Sequence, residues 1–124
     1  MENQIIALAS TPTTAEERKA YFRMINDGGE KLSTMINKQI DLVNVYGEMV
    51  EITDNETGEA MQAPRVVLST ADGNVYQAIS GGILRSVEAL IKVYGPAPWA
   101  DPIPVTVKQR DTKNGHRVLV LDVI

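Results

Sequence analysis

Asp72-Gly73 separates two runs in which apolar and polar residues alternate, Met61 to Thr70 and Asn74 to Ile79. An Asp-Gly pair between alternating runs is a strong local signal for an antiparallel hairpin. The spacing then changes at once. From Ser80 to Tyr94 the apolar residues Ile83, Leu84, Val87, Leu90 and Ile91 recur at helical intervals, and Gly95-Pro96 ends the segment. No other part of the chain constrains the fold so tightly, because two paired strands must feed directly into one helix. The flanks extend the pattern. Ile40 to Ile52 is a β-branched run, with Gly47 as a bend, and it is joined to the hairpin by the acidic turn Asp54-Asn55-Glu56-Thr57-Gly58. Pro64 blunts the start of the next strand. After a proline-rich loop, Ile103 to Arg110 and His116 to Val123 flank Asn114-Gly115, a second hairpin turn.

The N-terminal third reads differently. Residues 1–13 form an extended arm. Thr14-Ala-Glu-Glu17 has the form of a capping box, with Thr14 as the cap and Glu17 reaching back. Ala20, Phe22, Met24 and Ile25 then make an apolar helix stripe, which Asp27-Gly28-Gly29 terminates. Between Lys31 and Lys38, residues Leu32, Met35 and Ile36 fit one helical face, but the segment is short enough to be a turn or loop. The length of 124 residues suits one domain, with 1–38 as arm and helix and 39–124 as the barrel. The expected class is mainly β. Strand order β-β-β-α-β-β gives a five-stranded, OB-like Greek-key barrel with one helix between strands three and four and an additional N-terminal helix. Such barrels bind oligonucleotides across strands two and three.

Composition removes several function classes. Without cysteine there are no disulfides and no thiolate metal sites. MENQIIALASTPTT has no basic start followed by a long apolar run, so no signal peptide is expected, and no stretch approaches the ~20 apolar residues of a membrane span. His116 is the only histidine and has no carboxylates at ligand spacing. There is no P-loop, and no serine or threonine has an identifiable base. The expectation is a non-enzyme without cofactor or metal. The net charge of −4 is uneven: residues 1–63 hold five Lys/Arg against eleven Asp/Glu, while 64–124 hold seven against five. A globally acidic chain argues against strong nonspecific duplex binding. It leaves room for single-strand binding through a local basic groove and stacking rings. The acidic run 48–59 is expected to be a solvated hairpin tip.

A two-residue Asp72-Gly73 loop would place Ser69 opposite Tyr76 and Thr70 opposite Val75. Val66, Leu68, Val75 and Ile79 would then face the core. Arg65, Val67, Ser69 and Tyr76 would share the open face, offering one ring for stacking and one guanidinium for phosphate. The competing reading buries Tyr76 under the N-terminal arm or helix. Lys108 and Arg110 on one face of strand four, with Lys113, His116 and Arg117 at the last hairpin, make a candidate phosphate track, which Lys31 and Lys38 could extend. Trp99, between prolines, is expected to pack against the barrel and pin the loop, with stacking on a base as the alternative; Tyr94 and at least one of Tyr21 and Phe22 are expected to pack.

The stretch "ADGNVYQAIS" resembles a run in the single-stranded DNA-binding proteins of small tailed bacteriophages whose replication is primed by a terminal protein. "MEN" at the start, "INDGG" near residue 25 and "RDTKNGHRVLVLDV" are similar as well. The resemblance implies an OB-like protein that coats displaced strands during phage replication, protects them from nucleases and stimulates synthesis. It makes the phage DNA polymerase a candidate partner and the infected cell's cytoplasm the expected location. The family is thought to bind through tyrosines. Tyr76 matches by motif. Val50 and Thr57 stand where other tyrosines would be, and Tyr46, four residues before Val50, is the candidate substitute. The alternative function is a protein-interaction module or replisome adaptor with no DNA contact.

Overall fold

The computed structural model describes residues 5–112, 115 and 117–124. In chain order the elements are β1 (Ile5–Ile6), α1 (Ala15–Asp27), β2 (Glu30–Lys31), a 3-10 turn (Leu32–Met35), β3 (Gln39–Thr53), β4 (Ala60–Thr70), β5 (Val75–Ile79), α2 (Gly81–Tyr94), β6 (Ile103–Asp111) and β7 (Arg117–Val123). The protein is mainly β. One mixed sheet runs β2-β5-β4-β3-β6-β7, with β1 paired to β3 off this path. It curls into a half-barrel around the main core.

The expected count of five strands is not met. β1 and β2 come from segments read as arm and as ambiguous, and they raise the count to seven, so α2 follows the fifth strand rather than the third. β2 runs parallel to β5 along an edge that a closed barrel would need, and among the described residues no ladder joins β5 to β7. α2 covers that opening. A Cβ on Gly82 would stand 2.3 Å from the Leu119 carbonyl oxygen, so helix and strand touch at backbone level. The Ser86 hydroxyl accepts the Leu121 N–H at 3.0 Å, which satisfies a donor that the sheet leaves unpaired.

Both helix starts are capped, that of α1 as its sequence implies. Thr14 Oγ1 accepts the Glu17 N–H at 3.1 Å, and the Glu17 carboxylate accepts from the Thr13 N–H at 3.0 Å. Ser80 caps α2 through the Ile83 N–H at 3.2 Å. The apolar stripe of α1 is narrower than expected. Met24 is buried, Tyr21 and Ile25 are half-buried, and Phe22 is 65% exposed. Tyr94, expected to pack, is also largely exposed, whereas Trp99 packs as expected.

The central correction is the register of the β4–β5 hairpin. Ser69 lies opposite Val75 and Leu68 opposite Tyr76, one residue away from the two-residue-loop expectation. A type I′ turn needs positive φ at both central residues, but only Gly73 has it, at 88°. The loop is Ala71-Asp72-Gly73. It is closed by the Gly73 N–H on the Thr70 carbonyl and by the Thr70 N–H on the Asn74 carbonyl, both at 3.0 Å. The Asp72 carboxylate holds it from within, accepting from the Thr70 hydroxyl and from the Asn74 amide at 3.0 Å. A one-residue slip turns every side chain of the strand over. Tyr76 therefore points into the main core with Val66, Leu68, Val45 and Leu42, and it is 7% exposed. Val75, Gln77 and Ile79 turn outward instead.

A bulge does the same within β3. The register shifts between Leu42 and Asn44, and the Val43 carbonyl accepts the Trp99 N–H at 2.8 Å. Before it Ile40 and Leu42 face the core. After it Val45 does, and Tyr46 turns outward.

Candidate nucleic-acid interface

The outer face of β3-β4-β5 is a small grid fixed by register. Asn44 pairs with Ser69, Tyr46 with Val67 and Glu48 with Arg65, and β5 adds Val75 and Gln77. α1 lies across it. Met24, Tyr46 and Val67 form a second, minor core with Tyr21, Ile25 and Val75 packed around them. The Tyr21 and Tyr46 rings meet edge to face, with centroids 5.8 Å apart.

Beneath and beside the helix runs a polar chain. Tyr46 Oη donates to Glu48 at 3.0 Å, and Arg65 donates to the other Glu48 oxygen at 3.1 Å. Arg65 Nε donates to Gln77 Oε1 at 3.0 Å, and the Gln77 amide reaches the Gly29 carbonyl at 3.5 Å. The Arg65–Glu48 pair is mostly shielded from solvent. Burial, reinforced by the bond to Glu48 and its charge, pushes the Tyr46 phenol up to about 12, so it stays protonated and keeps donating. Burial also raises Tyr21. The chain is anchored where α1 ends. Gly29, at φ 66°, sits so close to β5 that a Cβ would be 1.9 Å from the Val75 carbonyl oxygen.

On one flank of α1 the helix and sheet leave two adjoining hollows. One, of about 480 Å³, lies between Pro12, Tyr21 and Trp99. The other, of about 540 Å³, lies between Arg23 and the Gly73 turn. Both are bordered by Ala20, Asn44 and Ser69, so they form one groove with a polar floor. Trp99 is fixed at its wall by its indole N–H, which donates to the Gly95 carbonyl at 2.9 Å. The groove thus presents two ring borders, amide and hydroxyl groups, the Arg23 guanidinium, and the carboxylates of Glu17 and Asp27.

The structure places the anticipated site residues in several environments. Tyr76 is in the core. Tyr46 and Arg65 share the outer face, but the ring is under α1 and the guanidinium is held by Glu48 and Gln77. Lys108 and Arg110 do share one face of β6, at the far end of the sheet. Lys108 is paired with Asp122 at 2.9 Å, and Arg110 is exposed with no ion pair among the described residues. These two lie beyond the start of β3, where Gln39 opposes Thr106, while Arg65 opposes Glu48. Nine residues of strand, about 30 Å along its length, separate those levels. Arg117 pairs with Asp111 at 3.6 Å and stands on the face opposite Lys108. Lys113 and His116 lie outside the described residues. The expected single track beside Tyr76 is therefore split. Sequence reading put Ser69 on the open face but did not single out Asn44, which opposes it only because of the bulge.

The sequence model of one protein family, described as Phage Single-stranded DNA-binding protein, matches residues 1–124. No curated protein and no solved structure matches the chain significantly.

Proposed function

This chain belongs to the family of phage single-stranded DNA-binding proteins, and from that premise we propose where and how it holds the strand. It binds single-stranded DNA in phage replication. In our reading it does so without sequence preference, coating displaced strands and shielding them from nucleases, and the half-barrel serves as an OB-like scaffold. The strand lies in the groove along α1. The observation that carries this is the continuity of the two hollows past Tyr21, Trp99, Asn44 and Ser69 to Arg23. The edges of the half-buried Tyr21 and the buried Trp99 border the groove, and ring contacts together with a floor of small polar groups do not discriminate among bases. Tyr46 and Arg65 act from below, holding α1 at the distance that keeps the groove open. Arg110, and more weakly Lys108, meet phosphates beyond the groove. Tyr76 supports the wall from inside.

Trp99 is the only tryptophan. Titrating the protein with oligo-dT should quench or shift its emission in step with binding measured by anisotropy of the labelled oligonucleotide, and matched duplex should do neither. Binding to oligo-dT with unchanged tryptophan emission would move the strand out of this groove.

A further inference from the structure

The side of α1 that faces away from the sheet has no partner within the chain. Phe22 stands two residues, or about 200° of helix, from the buried Met24, and it is 65% exposed. Arg18 lies one turn before it. Lys19 and Arg23 follow each other along the adjacent flank, about 6 Å apart on the axis. All three cations are exposed, and none forms an ion pair among the described residues. Of the helix's carboxylates, Glu17 is engaged with Thr13, while Glu16 and Asp27 lie beside the Lys19–Arg23 flank, about 120° and 140° around the axis from Phe22. A chain of net charge −4 with twelve Lys/Arg thus gathers three of them around one solvent-exposed ring.

We infer that Arg18, Lys19, Phe22 and Arg23 form a second contact for single-stranded DNA, with Phe22 stacking on a base and the cations meeting flanking phosphates. The inference rests on the single-strand reading above and adds a surface to it. Arg23 belongs to both surfaces, since it also borders the groove, so a strand leaving the groove passes it on the way to Phe22. A merely solvated face gains nothing from a phenyl ring at its centre, whose apolar area stays in water. A protein partner is the other occupant that the test separates, since Phe and Arg are enriched at protein interfaces and only Lys19 is of a depleted type. Interleaved cations and a ring are what an unpaired, charged strand requires.

The test uses the full chain, fluorescein-labelled oligo-dT, a salt series, and four variants: Phe22→Ala, Phe22→Leu, Phe22→Trp, and the double variant Arg18→Ala/Lys19→Ala. Melting should be unaffected in all four. Phe22→Ala should weaken binding by about 5- to 150-fold, the equivalent of one lost stacking contact. Phe22→Leu should be equally weak, because it keeps apolar area but no π-face, and Phe22→Trp should bind at least as well as the parent. The double variant should flatten the slope of log affinity against log salt by about 1.4. Parent-like affinity and slope in the alanine variants would overturn the inference. So would rescue by Phe22→Leu, or a change in self-association with unaltered DNA binding, since both mark a protein contact. Failure of the parent protein itself to bind oligo-dT would instead refute the single-strand reading beneath it.

Discussion

Replacing Tyr76 by alanine separates a core tyrosine from a base-stacking one. The ring is 7% exposed and packs with the main cluster from inside β5. Truncating a buried aromatic costs about 3–5 kcal/mol, made up of lost transfer energy and the cavity left behind. The lower half of that range applies here, because β5 has five residues and its far neighbour β2 only two, so the wall can partly collapse. For a chain of this length 1 kcal/mol corresponds to about 4 °C of melting temperature. The expected outcome is a drop of roughly 12–16 °C for about 3–4 kcal/mol. Tyr76→Phe, which keeps the packing surface, should stay near the parent. The assay is a thermal melt followed by anisotropy titration with oligo-dT on the same sample, well below the new melting point and scored per folded molecule. Affinity should hold within about threefold, under 1 kcal/mol. A melting point within about 2 °C of the parent together with affinity lost by tenfold or more would refute the argument. Tyr76 would then be a contact residue, and the register found here would not be the register that meets DNA.

Two further outcomes follow from the ion pairs and the turn. Arg110→Ala should flatten the single-strand salt slope by about 0.7, one phosphate contact, while Lys108→Ala should change it less because Asp122 already neutralises the ammonium; equal effects, or none, would remove the hairpin from the binding path. Asp72 is held below the usual carboxylate range, chiefly by the Thr70 hydroxyl and then by the Asn74 N–H. A carboxyl depressed in the folded state stabilises above its ordinary pKa, and that contribution disappears as pH falls through the lower folded value. Urea melts of the parent and Asp72→Asn should therefore differ at pH 7 and converge below about pH 4, and a gap that persists into acid would show that Asp72 acts by shape alone.

Much of this architecture was legible because it depends on local chemistry. The capping box at Thr14, the period-3.6 run of α2 and the alternation of β4 each concern residues a few positions apart. What was not legible depends on single-residue offsets. Asp-Gly announces a turn but leaves its length open, and here the Asp72 side chain stabilises a three-residue loop by bonding to Thr70 and Asn74. That offset moved Tyr76 from the open face to the core. The bulge at Val43 is likewise invisible locally, since the carbonyl it frees is matched by Trp99, more than fifty residues away. Phe22 was misplaced for another reason. Counted as one more apolar residue, it fits a stripe, but its angular position puts it opposite Met24. The function was legible chiefly through the ADGNVYQAIS stretch and only weakly through charge, because an acidic total conceals where the cations lie.

On the proposed reading, that distribution lets an acidic protein hold single strands and predicts weak duplex binding. The β3–β4 hairpin runs past the core from the Met49–Pro64 pair to the Thr53–Ala60 pair, and it ends in the exposed Glu56 and Glu59. Exposed cations lie away from that tip, on the outer side of α1 and at Arg110, and also at Lys31, Lys38, Arg85, Lys92 and Arg117. A duplex is stiff over about 150 base pairs, so it lies across the molecule as a rod and cannot bend from one group of cations to the next. A single strand bends between consecutive nucleotides. It can enter the groove at Trp99, pass Arg23 and reach Phe22 while staying clear of Glu56 and Glu59. Its unpaired bases also bring faces that the duplex has already spent in its own stack. On this reading charge placement disfavours the stiff polymer and the rings favour the flexible one, and equal affinity for oligo-dT and matched duplex would refute it. Neither preference requires the protein to recognise sequence or to carry a positive net charge.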